Sequence, residues 1–164
     1  MIKMRKKAIV LLFFLILLSP GLFSQGLRIP PFKIIRADGS LFRAQDLPMG
    51  KPVIIIYFSP ECEDCQKFTE DLISEIDDFW DASIVMVTYL SVQSVAQYEK
   101  KYKLNIYPNI YVGTEGNAFI VRYYYNVRRF PFVALLNKDG KLIRKWDKEE
   151  NINELASSLK ALKK

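Results

Sequence analysis

Six consecutive apolar residues, Val53-Ile54-Ile55-Ile56-Tyr57-Phe58, constrain this chain more than any other stretch. The run is rich in isoleucine and has no polar alternation, which predicts a strand buried on both faces, as in a parallel sheet covered by helices. Beyond Ser59, apolar side chains at Cys65, Phe68, Leu72, Ile76 and Phe79 recur at spacings of three and four, the mark of an amphipathic helix. Glu63, Asp64, Glu70 and Asp71 load its first turns with acids, which suits the positive end of a helix dipole. Ile84 to Leu90 reads as a second apolar strand. A strand, a long helix and another strand form a βαβ unit, which implies a parallel pair joined by a right-handed crossover.

The rest of the chain is arranged around that unit. Phe32 to Arg36 predicts a short edge strand ended by the turn signal Ala37-Asp38-Gly39-Ser40, and Leu41 to Leu47 a single helical turn. Val92 to Lys103 predicts a helix with Val95, Tyr98 and Tyr102 inward, Pro108 to Gly113 a short strand or extended loop, and Asn117 to Asn126 another helix. Phe132 to Leu136 and Leu142 to Trp146 flank Asn137-Lys138-Asp139-Gly140-Lys141, and Asp-Gly between two strand-like runs signals a hairpin. Ile152, Leu155, Leu159 and Leu162 place an amphipathic helix at the end, with Asn151 as its cap and Glu154 three residues on. The fold class is therefore α/β, one domain with a mixed central sheet and helices on both faces.

Residues 1–24 are read as a secretory signal peptide rather than part of the fold. Lys3, Arg5, Lys6 and Lys7 form a basic start, Ala8 to Leu18 is unbroken apolar sequence, and Ser19-Pro20-Gly21 precedes a small residue at Ser24. The apolar span is shorter than the ~20 residues of a membrane-spanning helix and contains Pro20, so cleavage is favoured over an uncleaved anchor. The segment holds four of the 24 basic residues, which leaves 20 against 18 acids, a net charge of +2, for residues 25–164. No basic stripe remains to neutralise a row of phosphates, so a nucleic-acid partner is excluded. The expected location is periplasmic or secreted, with no membrane association after cleavage, and a monomer.

Between the first predicted strand and its helix lies Cys62-Glu63-Asp64-Cys65, with the only two cysteines of the chain. A bridge between them closes a very short loop and would add little as a staple against unfolding. Reactivity is the better reading. Unpaired backbone N–H groups and the dipole at a helix start stabilise a thiolate. Cys62 sits at the exposed edge and is assigned as the nucleophile, whereas Cys65 lies one turn in, on the buried stripe, and is assigned as the resolving thiol. Glu61, Glu63 and Asp64 oppose thiolate formation, and no histidine exists anywhere to assist it. A metal site is not expected, because tetrahedral zinc needs four ligands and this chain offers two thiols and no imidazole.

These residues, with Gly50-Lys51-Pro52 before the strand and Val127-Arg128-Arg129-Phe130-Pro131-Phe132 before the hairpin, resemble the thioredoxin-like superfamily, in particular its exported TlpA-like and AhpC/TSA-like branch. The resemblance covers roughly residues 32 to 163 and implies a thioredoxin-like three-layer fold over 25–164. It implies that Pro131 is a cis proline facing the dithiol, and that the backbone at Phe130 pairs with the substrate chain. Phe130 and Pro131 are thus the candidate substrate-binding residues. Three positions depart from the pattern: Glu61 stands where a Trp is common, Asp64 where Pro or His is frequent, and Ile56 where thioredoxins carry a buried acid.

The resulting expectation is an exported thiol–disulfide oxidoreductase that exchanges a Cys62–Cys65 dithiol with protein substrates, more as reductant than oxidant, fed by an upstream redox partner and needing no cofactor. Two alternatives stand beside it. A peroxiredoxin-like peroxidase would want a Thr/Pro-rich loop before a lone cysteine, which Ser59-Pro60-Glu61-Cys62 meets only loosely. A non-catalytic module would use tyrosine-rich surfaces, such as Tyr107, Tyr111, Tyr123, Tyr124 and Tyr125, although packing accounts for most of these. Arg128 and Arg129, beside the expected substrate strand, are placed to steer acidic partners.

Overall fold

The computed structural model describes residues 26–147 and 152–162. The expected signal peptide and the Asn151 cap lie outside them. The strands are β1 (Lys33–Ile35), β2 (Leu41–Arg43), β3 (Val53–Tyr57), β4 (Ser83–Thr88), β5 (Ile110–Thr114), β6 (Phe132–Leu136) and β7 (Leu142–Asp147). The α-helices are α1 (Glu63–Ser74), α2 (Val92–Tyr102), α3 (Ile120–Tyr125) and α4 (Ile152–Ala161). The seven strands form one sheet in the order β2-β1-β5-β4-β3-β6-β7.

The βαβ unit is present: β3 and β4 pair in parallel, with Val53 opposite Ser83 and Tyr57 opposite Val87, and α1 makes the crossover. A second such unit follows, because β4 also pairs in parallel with β5 through α2. On its other side β3 runs antiparallel to β6, so this apolar strand lies inside a mixed sheet, between β4 and β6. All five of its residues are buried, which explains a sequence without alternation.

Side chains that alternate along β3 feed two separate cores. Ile54, Ile56 and Phe58 face α1, α2 and α4, packing with Phe68, Leu72, Val95, Tyr98, Leu155 and Leu159. Val53, Ile55 and Tyr57 face α3 and the N-terminal segment, packing with Phe32, Ile34, Val121, Tyr125 and Val127. Among the described residues, helices therefore lie on both faces, three against one. The thinner side is completed by the segment before β1, which α3 ties down: Tyr124 Oη accepts from the Arg28 N–H at 2.9 Å and Tyr125 Oη donates to the Arg28 carbonyl at 3.1 Å.

Two expectations need correction. The first strand is not an edge strand, since β1 lies between β2 and β5. Leu41 to Leu47 is not simply a helical turn: Leu41–Arg43 is the true edge strand, and only Ala44–Asp46 forms a 3₁₀ turn. The Asp38-Gly39 turn does not merely end a strand. It closes a hairpin in which the Ser40 carbonyl accepts from Arg36 N–H at 2.9 Å and Phe42 is drawn under the sheet opposite Ile34. A three-residue strand carries too little alternation to be separated from a turn by pattern alone.

The double core leaves a titration signature. The phenols of Tyr57, Tyr98 and Tyr125 are pushed above their ordinary value near 10, in each case chiefly by burial. Burial favours the neutral phenol, so the unfolded chain loses these protons first as pH rises. Their contribution to stability is complete below pH about 10 and falls as pH climbs above it toward the folded-state values. Tyrosinate absorbance and circular dichroism followed together from neutral to strongly alkaline pH should show these three phenols ionising only as the fold collapses. Smooth ionisation of every tyrosine near pH 10, ahead of any loss of structure, would contradict the burial described.

Candidate active site

The C-terminal end of β3 hands the chain straight to the dithiol. The N–H of Phe58 still donates to the Val87 carbonyl at 2.9 Å, which continues the parallel pairing one residue past the strand. A turn follows, in which Cys62 N–H donates to the Ser59 carbonyl at 3.0 Å. Cys62 is then the N-cap of α1, with extended backbone, φ −87° and ψ 119°. Its sulfur takes the role usually filled by a Ser or Asp oxygen, accepting from the Cys65 N–H at 3.3 Å. The donor array that stabilises an anion at a helix start is thus aimed at Cys62 Sγ.

Cys62 is half-buried and Cys65 fully buried, and the two stand as a dithiol. The asymmetry follows from the helix: Cys65 falls on the stripe with Phe68 and Leu72, and Cys62 at its mouth. Glu61, Glu63 and Asp64 are all exposed around Cys62, so their negative charge acts through water and is screened by salt.

From the far side comes the segment between α3 and β6. The Phe130–Pro131 peptide bond is cis. Pro131 is buried, and the thiol of Cys62 donates to the Phe130 carbonyl at 3.9 Å, a long contact of the kind sulfur makes. Cys62, Cys65, Phe130 and Pro131, far apart in the chain, therefore meet at one place at the C-terminal ends of the parallel strands. Ile56, in the same core as Cys65, is wholly buried and its side chain has no proton to transfer.

A polar network that sequence reasoning missed lies under Cys65. Tyr98 Oη donates to the Cys65 carbonyl at 3.2 Å, Thr69 Oγ1 donates to the same oxygen at 2.9 Å, and the two hydroxyls are 2.8 Å apart. Tyr98 comes from α2, so this network fixes the first turns of α1 against its neighbour. The periodicity of Val95, Tyr98 and Tyr102 placed the tyrosine inward, but nothing local said what its hydroxyl would meet. Beside the dithiol an open groove of about 230 Å³ runs between the two helices, lined by Pro60, Glu61, Gln66, Tyr98 and Lys101. Gln66 braces it, donating from Nε2 to the Pro60 carbonyl at 2.9 Å and accepting from Lys101 Nζ at 2.9 Å.

The opposite side of Phe130 is aromatic. Its ring stacks on Tyr57 at 5.8 Å and on Tyr89 at 6.1 Å between centroids. Of the tyrosines singled out above, Tyr125 is buried, Tyr107, Tyr111 and Tyr124 are half-buried, and Tyr123 is exposed. Arg128 and Arg129 are exposed beside Phe130. Among the described residues there is no cluster of three or more His, Cys, Asp and Glu side chains suited to a metal, and no helix long and apolar enough to cross a membrane.

Comparison with solved structures places this geometry among known folds. A secreted Mycobacterium tuberculosis disulfide oxidoreductase homologous to E. coli DsbE superposes with a TM-score of 0.67 at 20% identity, covering 80% of this chain and 96% of that one. The exposed lipoprotein thioredoxin of Streptococcus pneumoniae gives 0.60 at 25% identity, covering 80% and 98%. A Mycobacterium tuberculosis peroxidoxin gives 0.70 at 15% identity, covering 84% and 97%. No curated protein matches the sequence. Residues 47–163 do match the family model of the thioredoxin-like domain, a span that runs from before β3 through the dithiol and the cis proline to the last helix. With that match over most of its length, the chain belongs to the thioredoxin-like domain family.

Proposed function

We propose that this protein is an exported thiol–disulfide oxidoreductase that reduces disulfides in protein substrates. The observation that carries the reading is the placement of Cys62 Sγ, capped by the Cys65 N–H at 3.3 Å and set 3.9 Å from the Phe130 carbonyl. A dithiol at a helix start, opposite a cis proline segment with exposed backbone neighbours, has the parts that disulfide exchange requires.

In the forward direction the Cys62 thiolate attacks one sulfur of a substrate disulfide. That S–S bond breaks, its other sulfur leaves as a thiolate and takes a proton, and Cys62 is joined to the substrate. Cys65 then loses its proton and attacks Cys62 Sγ. The second substrate sulfur leaves, and a Cys62–Cys65 disulfide remains. Two electrons pass to the substrate, and an upstream dithiol donor must return them. Phe130 and Pro131 hold the substrate chain alongside, and residues 1–24 direct export to the periplasm or beyond, where residues 25–164 act as a monomer.

The direction follows from charge. Glu61, Glu63 and Asp64 ring the dithiol with exposed negative charge and the motif carries no cation, a setting that favours the uncharged disulfide over the reduced pair. A less stabilised reduced form makes the disulfide harder to reduce, which biases the couple toward donating electrons. Equilibration with glutathione buffers should give a potential nearer to thioredoxin, about −270 mV, than to a strong oxidase, about −120 mV. A value at the oxidase end would overturn the reductant assignment.

A further inference from the structure

Phe130 is held from behind by an arrangement that disulfide chemistry alone does not require. The Arg122 guanidinium lies over three rings at once: 5.6 Å from the centroid of Phe119, 5.8 Å from Tyr89 and 5.8 Å from Phe130. All three distances fall within the ~6 Å range of cation–π attraction. Arginine suits this post because its flat, weakly hydrated guanidinium stacks on aromatic faces.

The helix that carries the arginine is anchored by a buried acid. Glu115, 7% exposed at the end of β5, accepts through Oε2 from the Val121 N–H at 2.8 Å, at the start of α3. Its other oxygen, Oε1, is buried, as is the Tyr57 hydroxyl, on which Glu115 acts both through its charge and through a side-chain hydrogen bond. Burial and then the Glu115 charge push the Tyr57 phenol up, while Arg122 acts in the opposite sense, so the three groups lie within one electrostatic neighbourhood. Glu115 therefore fixes the start of the helix that carries Arg122. The ring that Arg122 covers belongs to the residue whose carbonyl faces Cys62 Sγ.

We propose that Arg122 is a positioning residue for polypeptide substrates: clamped over Phe119, Tyr89 and Phe130, it holds the backbone at Phe130 in the shape a substrate chain pairs with beside Cys62. This rests on the oxidoreductase reading above and adds a division of labour to it. The dithiol is held by α1 and the network under Cys65, and the substrate-pairing segment by the Arg122 clamp. A small disulfide with no peptide backbone uses only the first of these, whereas a protein disulfide uses both.

The test compares two substrates of the full-length protein, insulin and bis(hydroxyethyl) disulfide. Arg122→Gln should raise KM for insulin about tenfold with kcat little changed, the loss expected when cation–π contacts to the loop are removed. The rate with bis(hydroxyethyl) disulfide and the equilibrium with glutathione should both stay within about twofold. Arg122→Lys, which keeps the charge but not the flat stacking group, should recover part of the insulin KM. Phe119→Leu removes one ring and leaves the arginine, and should raise the insulin KM in the same direction. Equal losses on both substrates, or insulin kinetics indifferent to all three variants, would overturn the proposal. Wild-type protein inactive on both substrates would instead sink the oxidoreductase reading beneath it.

Discussion

Cys62→Ser is expected to lose insulin reduction completely, down to the rate of the reductant alone. A serine hydroxyl at the same N-cap keeps the hydrogen bond to the Cys65 N–H, so helix α1 should start unchanged and the fold should survive. What disappears is the sulfur nucleophile, since the thiolate is the attacking species. Cys65 cannot stand in for it, because it is wholly buried beneath the first turn among Phe68 and Leu72. The same variant separates the competing readings. A binding module would show no thiol-dependent turnover in either form. A peroxidase would lose peroxide consumption while its wild type reduced insulin poorly.

Phe58→Ala should have the largest effect on stability, about 3–5 kcal/mol. Phe58 is 1% exposed, stands at the junction of β3 and the Cys62 turn, and packs its ring 4.7 Å from that of Tyr98. Its loss opens a cavity under the dithiol and removes the ring that steadies Tyr98, whose hydroxyl bonds the Cys65 carbonyl. Against a usual total of about 5–15 kcal/mol, that is a large share of the stability of the domain. Thermal denaturation should show Tm lowered by about 10 °C or more. Met49→Ala, at a side chain 98% exposed, is the control and should change stability by no more than about 0.5 kcal/mol. A Phe58→Ala variant as stable as the control would mean that the core facing α1, α2 and α4 does not reach the active-site turn in the way described.

What could be read from the sequence was local. The unbroken run of β3 announces burial on both faces, the stripe from Cys65 to Phe79 announces α1, and Asp139-Gly140 announces the β6–β7 hairpin. Each signal lies within about fifteen residues, where periodicity and turn chemistry act. The stripe overran its helix, because α1 ends at Ser74 and Ile76–Phe79 continues as a 3₁₀ turn with a similar spacing of inward residues. Contacts made by the fold as a whole were not legible. The β1–β2 edge depends on pairing across the sheet, and Glu115 looks like any loop acid until β5 and α3 enclose it. The Arg122 clamp joins Tyr89, Phe119 and Phe130 from three separate connections, and no spacing in the chain foretells that they share one cation. Pro131 became a site residue through family resemblance, because no local pattern distinguishes it from a proline that merely opens a strand.

The central claim is that Cys62 attacks and Cys65 resolves, and Cys65→Ser tests it most directly. With the resolving thiol gone, the first exchange should stop at a mixed disulfide, and peptide mass analysis of trapped complexes should find substrate sulfur on Cys62. No accumulation of mixed disulfides, or turnover of insulin at the wild-type rate by Cys65→Ser, would contradict the account.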